Sequence, residues 1–194
     1  MKIAQPAELS GVDVAGSLAG MYRSSTADSE EGPGAQILAS GIAVAWAREA
    51  QALLRRHWRV HADVWSVTSW TELRRDALAA DEWNCWHPAA APRTPYLTAR
   101  LRGRRGPVVA VSDSIRAVPD QVARFVEADW SSLGTDGFGV SDTRPHLARS
   151  CGVEPTWIVL RVLELLAHQG EVDPAVPTQA IERYGLVSGF PGRR

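Results

Sequence analysis

Pro107-Val-Val-Ala-Val111 (PVVAV), set between Gly106 and Ser112, is continuous, apolar and β-branched over its valines. Such a run, bounded by turn residues, is a buried strand. Working outward from it, strand-like runs alternate with helical periodicity. Upstream, Val60–Val67 (VHADVWSV) is a buried strand. Ser69–Trp83 opens with a Ser-x-x-Glu capping box, Ser69 to Glu72, and continues as a helix. Asn84–Pro95 carries three prolines and is a loop, followed by a helical turn over Tyr96–Leu101. Ala43–Trp58 (AVAWAREAQALLRRHW) places Ala43, Trp46, Ala47, Ala50, Leu53 and Leu54 on one helical face. Gly20–Thr26 and Ala35–Ile42 are strands joined by a turn with Glu30, Glu31, Gly32, Pro33 and Gly34. Downstream come a helix over Pro119–Val126, a fifth strand over Trp130–Thr135 and a short helix over Asp142–Ser150. A long amphipathic helix, Glu154–His168, has Pro155 near its start and Gly170 past its end. Pro174–Tyr184 forms a last helix. This alternation predicts an α/β sandwich with a mainly parallel sheet.

The chain has 194 residues, enough for one domain with a sizeable core. The first 19 residues carry Pro6, Gly11 and Gly16 without periodicity and are expected to be an arm or linker. Residues 20–187 form the domain, and 188–194 a loose tail. Hydrophobic content of 45% and charged content of 22% exclude a disordered chain. A net charge of -1 provides no global field to hold nucleic acid or anionic lipid. No apolar stretch reaches the ~18 residues a membrane span needs. The N-terminus lacks an apolar signal-peptide core, and two cysteines make no disulfide framework. The expectation is a cytoplasmic protein bound to neither nucleic acid nor membrane.

Few residues carry obvious chemistry. Cys85 and His87 offer two metal ligands with no second pair at a zinc spacing. His57, His61, His87, His146 and His168 have no obvious partner carboxylate or nucleophile nearby in sequence. Gly134-Thr-Asp-Gly-Phe-Gly139 is neither a dinucleotide fingerprint nor a P-loop. Gly139-Val-Ser-Asp-Thr143 lacks the second glycine of a nucleophile elbow. This loop is either a tight turn with Asp142 capping the next helix, or, lying between a strand and a helix, a place where ligands and partners meet. Arg93, Arg100, Arg102, Arg104 and Arg105 form a run with no acid among them, either a solvated surface or a dock for an acidic partner. Among eight Trp, Trp65 and Trp157 sit in apolar runs and are assigned to the core. Trp70, Trp83 and Trp86 are expected around one loop, packing it down or anchoring a second chain. Lys2 is the only lysine; with abundant Ala this matches a GC-rich, actinobacterial-like composition.

Several longer segments carry a resemblance. Trp65-Ser-Val-Thr-Ser-Trp-Thr-Glu-Leu-Arg-Arg-Asp76 resembles a signature of the homodimeric bacterial pyruvate dehydrogenase E1 component. So do Val109-Ala-Val-Ser-Asp113 with Arg116-Ala-Val-Pro-Asp-Gln121, and Ser132-Leu-Gly-Thr-Asp-Gly-Phe-Gly139 with Ser141-Asp-Thr-Arg144. Gly170-Glu-Val-Asp173 and Ala180-Ile-Glu-Arg-Tyr184 are similar to that enzyme's end. The matches run in order from Gly20 to Tyr184. They resemble its C-terminal domain alone, a domain shared with transketolases.

The resemblance implies a three-layer α/β/α sandwich on a five-stranded mixed, mostly parallel sheet, the first strand antiparallel. It implies an enzyme that uses thiamine diphosphate and Mg²⁺, held by partner domains or chains and not by this one. Its pyrophosphate motif, Gly-Asp-Gly followed by Asn-Asn, is absent from these residues. The implied chemistry is attack of a thiazolium ylid on a ketone, C–C cleavage, and transfer of a two-carbon unit. The donor would be a 2-oxoacid or ketose phosphate, and the acceptor a lipoyl group or acyl carrier protein. The isolated chain is expected to be inactive. It would serve as an assembly subunit in a hetero-oligomer built on a dimer, with Ser112, Asp113, Arg116, Asp136, Phe138, Ser141, Asp142 and Arg144 at the interface. Two departures stand out: Val140 replaces the family's usual Arg, and Ser114 an aromatic. Met1 at the start favours a natural small subunit of a split enzyme, of the kind that serves antibiotic pathways, over an excised domain. The competing expectation is a stand-alone ligand-binding or regulatory module without enzymatic activity.

Overall fold

The computed structural model describes residues 13–29, 31–136 and 152–186. Five strands form one sheet: β1 Met21–Ser25, β2 Gly34–Ser40, β3 His61–Val67, β4 Val108–Val111 and β5 Trp130–Leu133, in the order β1-β3-β2-β4-β5. β1 pairs antiparallel with β3, and every other pairing is parallel. Between them run α2 Ala43–Trp58, α3 Trp70–Trp86, α4 Tyr96–Leu101 and the short α5 Ala117–Asp120. Among the described residues two helices follow β5, α6 Pro155–His168 and α7 Val176–Tyr184. The fold is the expected five-stranded, mostly parallel α/β sandwich.

Period-two alternation divides the core into two layers. Ala35, Ile37, Ala39, Ala62, Val64, Val109 and Val111 pack toward α2 and α6, whose buried stripes include Ala47, Leu54, Ile158, Val162 and Leu166. Leu38, Trp65, Val67, Val108 and Ala110 face the other way, onto Trp70, Leu73, Leu97 and Val122. Each large side chain so buried contributes about 1.5–3 kcal/mol.

Local signals set several boundaries. Ser69 caps α3, its hydroxyl accepting from Glu72 N at 3.0 Å. The reverse half of the capping box is replaced, because the Glu72 carboxylate pairs with Arg75. Pro155 stands in the first turn of α6, and Gly170 follows it with φ +75°.

Several sequence expectations differ from the structure. α3 runs through Asn84, Cys85 and Trp86. Asn84 is a helical residue that clasps the loop from below, donating to Arg93 O and accepting from Arg93 N. α3 stops where Pro88 disfavours helical backbone at His87. The single helix expected over Pro119–Val126 is instead α5 followed by a 3₁₀ turn, Ala123–Phe125. There the backbone turns through i→i+3 bonds, Val122 is drawn into the core, and Thr98 Oγ1 bonds Phe125 O at 2.6 Å. The end of the expected arm is a helical turn, α1 Val14–Leu18, capped by Asp13, whose Oδ1 accepts from Gly16 N. The tryptophans do not share one loop: Trp70 is buried at the start of α3, and Trp86 is 75% exposed at its end. Trp65 is fully buried as expected, while Trp157 is half-buried. The helix expected over Asp142–Ser150 lies outside the described residues.

Candidate functional site at the strand ends

β2 connects forward to β3 on one side, and the chain then returns to place β4 on the other side of β2. The order therefore reverses between β2 and β4. Beyond the carboxyl ends of these strands the connections diverge, the position where open α/β sheets meet ligands and partners. Ser40, Gly41, Ser112 and Asp113 lie there.

A chain of hydrogen bonds ties the two strand ends together. Trp70 Nε1 donates to Ser40 Oγ at 3.1 Å, and Ser40 Oγ donates to Ser112 Oγ at 3.3 Å. Ser112 Oγ also accepts from Ser114 N at 3.0 Å, while Ser112 N donates to Leu133 O. Ser112 is 1% exposed, so its hydroxyl serves the loop's shape. Asp113 is exposed beside Gly41. Gly41 adopts φ +57°, and a Cβ there would stand 3.0 Å from Asp113 Oδ2. Both the backbone conformation and the close approach call for glycine.

The β5 end joins the same loop. Thr135 Oγ1 donates to Asp113 O at 2.9 Å, and Thr135 N to Ser114 O at 3.0 Å. Asp136 grips Arg116 through two contacts, accepting from Arg116 N at 2.8 Å and from its Nε. Ser112, Asp113, Arg116 and Asp136 are thus brought to one edge. Phe138, Ser141, Asp142, Arg144 and Val140 lie outside the described residues. Ser114 is exposed and, among the described residues, adds backbone contacts alone.

Reading the sequence for polar chemistry passed over the apolar part of this edge. Ile42 and Ile115, 51% and 50% exposed, lie on the connections that leave β2 and β4. Val14 and Leu18 of α1 are 67% and 77% exposed. α1 is fixed at the end of β3, where Thr68 Oγ1 donates to Ser17 O and Thr68 N to Gly20 O. Four of the six exposed large hydrophobics among the described residues therefore lie along the carboxyl edge. The usable signal was an isoleucine directly after the strand-ending Gly41, and another two residues after Asp113.

The basic run is not one free patch. Arg102 pairs with Glu127 at 2.8 Å, Arg93 lies 4.2 Å from the Trp83 ring centroid, and Arg105 donates to Gly32 O and Ser29 O. Among the described residues no group of three or more His, Cys, Asp or Glu is placed to hold a metal ion. No described helix is long and apolar enough to cross a membrane.

The family model of the transketolase-like C-terminal domain matches residues 20–154. The chain belongs to that family. The pyruvate dehydrogenase E1 component of Mycobacterium tuberculosis is 47% identical over 182 residues, covering 94% of this chain and 20% of the relative. This transketolase-like C-terminal domain thus spans about a fifth of the curated relatives' length. Among solved structures, a transketolase from Pichia stipitis in complex with sedoheptulose 7-phosphate superimposes with TM-score 0.55 at 16% identity, over 84% of this chain and 20% of that one. A split-gene transketolase, described as an inactive β4 tetramer, gives TM-score 0.50 at 19% identity, over 76% of this chain and 42% of that one. At such identities these structures establish the fold of the domain.

Proposed function

We propose that this chain is the C-terminal assembly domain or subunit of a thiamine-diphosphate-dependent enzyme of the pyruvate dehydrogenase E1/transketolase type, working in the cytoplasm. The whole enzyme would move a two-carbon unit from a 2-oxoacid or ketose phosphate to a lipoyl or carrier-protein acceptor. The observation that carries this reading is the carboxyl edge. It combines exposed Ile42 and Ile115, the Arg116–Asp136 pair, and a tied loop framework that holds them still. An apolar strip with a charged rim is the composition of a protein interface. The level of identity to E1 components, and a solved transketolase whose gene is split, support a partner that carries the rest of the enzyme.

In this reading thiamine diphosphate and Mg²⁺ are held outside this chain. The described residues gather no metal-ligand cluster, and the sequence lacks the Gly-Asp-Gly…Asn-Asn motif. The proposal assigns both groups to the partner and no catalytic step to this chain. Its contribution is position: Ser112, Asp113, Arg116 and Asp136, with Phe138, Ser141, Asp142 and Arg144, would seat the cofactor-bearing partner.

The test is co-expression with a chain that carries the cofactor motif, followed by size-exclusion chromatography and light scattering. A complex of fixed stoichiometry is expected, active with pyruvate or a ketose phosphate. The Asp136→Ala/Phe138→Ala double variant should weaken it about tenfold or more. Unchanged complex mass and activity in that variant would overturn the interface assignment. A parent chain that stays monomeric and binds a metabolite unaided would instead make it a stand-alone binding module.

A further inference from the structure

At the opposite, amino-terminal edge of the sheet the inner face changes character. Along β3 the α3-facing positions are Val67, Trp65 and then Asp63; along β2 they are Leu38 and then Gln36; along β1, Met21 and then Arg23. The apolar floor thus gives way to polar side chains. A cavity of about 280 Å³ opens there, bounded by Arg23, Gln36, His61, Asp63, Arg104 and Arg105.

Among the described lining residues the charge is not balanced. Arg23 lies 3.6 Å from Asp63, which is 6% exposed and also accepts from Ala27 N. Arg105 spends its guanidinium on two backbone carbonyls, which carry no net charge. Arg104 has no hydrogen-bond acceptor among the described residues. Its guanidinium carbon lies 5.9 Å from the Trp65 ring centroid, with those of Arg23 at 6.0 Å and Arg100 at 5.7 Å. The ring is itself fixed, Trp65 Nε1 donating to Gln36 Oε1 at 2.8 Å, and Gln36 Nε2 donating to Arg105 O. One aromatic ring therefore collects like charges: Arg100 is paired outside the cavity with Asp13 at 3.7 Å, while among the described lining residues Asp63 is the one carboxylate. His61 is occupied elsewhere, its Nδ1 2.8 Å from Asp28 Oδ1, and Asp28 also meets Arg55.

We propose that this cavity binds a dianionic phosphate group, with Arg104 as its chief ligand and Arg23 and Arg105 beside it. Two charges neutralise the excess of three guanidiniums over one carboxylate among the described lining residues. Guanidinium donors suit phosphate oxygens through paired N–H···O bonds. The site lies at the edge opposite the assembly surface, so it stands or falls separately from the proposed function.

The experiment is calorimetric titration of the full chain at fixed ionic strength. The probes are inorganic phosphate, glycerol 2-phosphate and a polyglutamate peptide. Saturable binding of phosphate is expected. Tighter binding of glycerol 2-phosphate assigns the site to organic phosphate esters, and equal binding to the free ion; either supports the proposal. Arg104→Ala should weaken binding about tenfold or more, and Arg104→Lys should recover part of it. Arg74→Ala, an exposed arginine near the other edge, should leave it unchanged. Arg104 makes no hydrogen bond among the described residues, so its variants should fold, which circular dichroism checks. Absence of saturable phosphate binding overturns the proposal. So does binding that survives Arg104→Ala, or binding of the peptide alone.

Discussion

His57 lies in the last turn of α2, and its Nδ1 is 2.9 Å from Arg183 Nη2 of α7. Only the neutral ring can accept that bond. Desolvation lowers its pKa from the usual 6.5, and the Arg183 and Arg56 charges lower it further. The helix end alone would favour a protonated ring, but desolvation and the neighbouring arginines prevail. A histidine whose folded pKa is depressed contributes stability above its unfolded pKa and loses it as pH falls through the folded value. Between pH 7 and 5 the parent should therefore lose more thermal stability than His57→Gln. Parallel melting curves across that range would contradict the assignment. A second residue is decided by space alone. Gly106 adopts φ +75°, and a Cβ there would lie 1.7 Å from Gly34 O at the start of β2. Gly106→Ala must displace the β2–β4 pairing. It should cost upward of about 3 kcal/mol in chemical denaturation, at the severe end for a point substitution.

Elements were legible where one signal dominated. β4 is a continuous β-branched run, and α2 carries unbroken helical periodicity; both end within a residue of expectation. The end of α3 and the region of α5 were not, because tertiary bonds decide them. Asn84 counts as a loop former in isolation, yet here it completes α3 while both ends of its amide hold Arg93. The stretch around Pro119 has helical periodicity, but Asp120 is committed sideways, accepting from Ser132 Oγ at 2.6 Å and Trp130 Nε1 at 3.2 Å. Those bonds join it to β5 and leave a turn where a longer helix was expected. The Asn84 clasp can be tested. Asn84→Ala removes two hydrogen bonds and should cost about 1–2 kcal/mol. Amide exchange should quicken at Arg93 and its neighbours while helical circular dichroism is unchanged. Loss of helix content instead would mean that the residue holds α3 rather than the loop.

The whole molecule presents two unlike edges of one sheet. The carboxyl edge is apolar with a charged rim, and the amino edge is a basic cavity. Ser112, Asp113, Arg116 and Asp136, which the structure brings to one edge, stand in two short contiguous segments that the sequence offers together. The amino-edge cluster was not legible there, because Arg23, Asp63 and Arg104 come from three distant segments that meet only through strand pairing. This polarity predicts how the edges respond to substitution. Ile42 and Ile115 are half exposed on connections flanking the point where strand order reverses, and neither belongs to a core layer. Ile42→Glu/Ile115→Glu should therefore change the stability of the isolated chain by no more than about 0.5 kcal/mol per site, the range for exposed positions. Buried against a partner, the same two carboxylates would be desolvated without counter-charge, which costs several kcal/mol. The double variant should thus fold normally yet fail to assemble with the cofactor-bearing chain in light scattering. Arg104→Glu, at the far edge, should assemble like the parent. Normal assembly of the double variant would move the interface away from the strand ends; loss of its fold would show that the two isoleucines belong to the core.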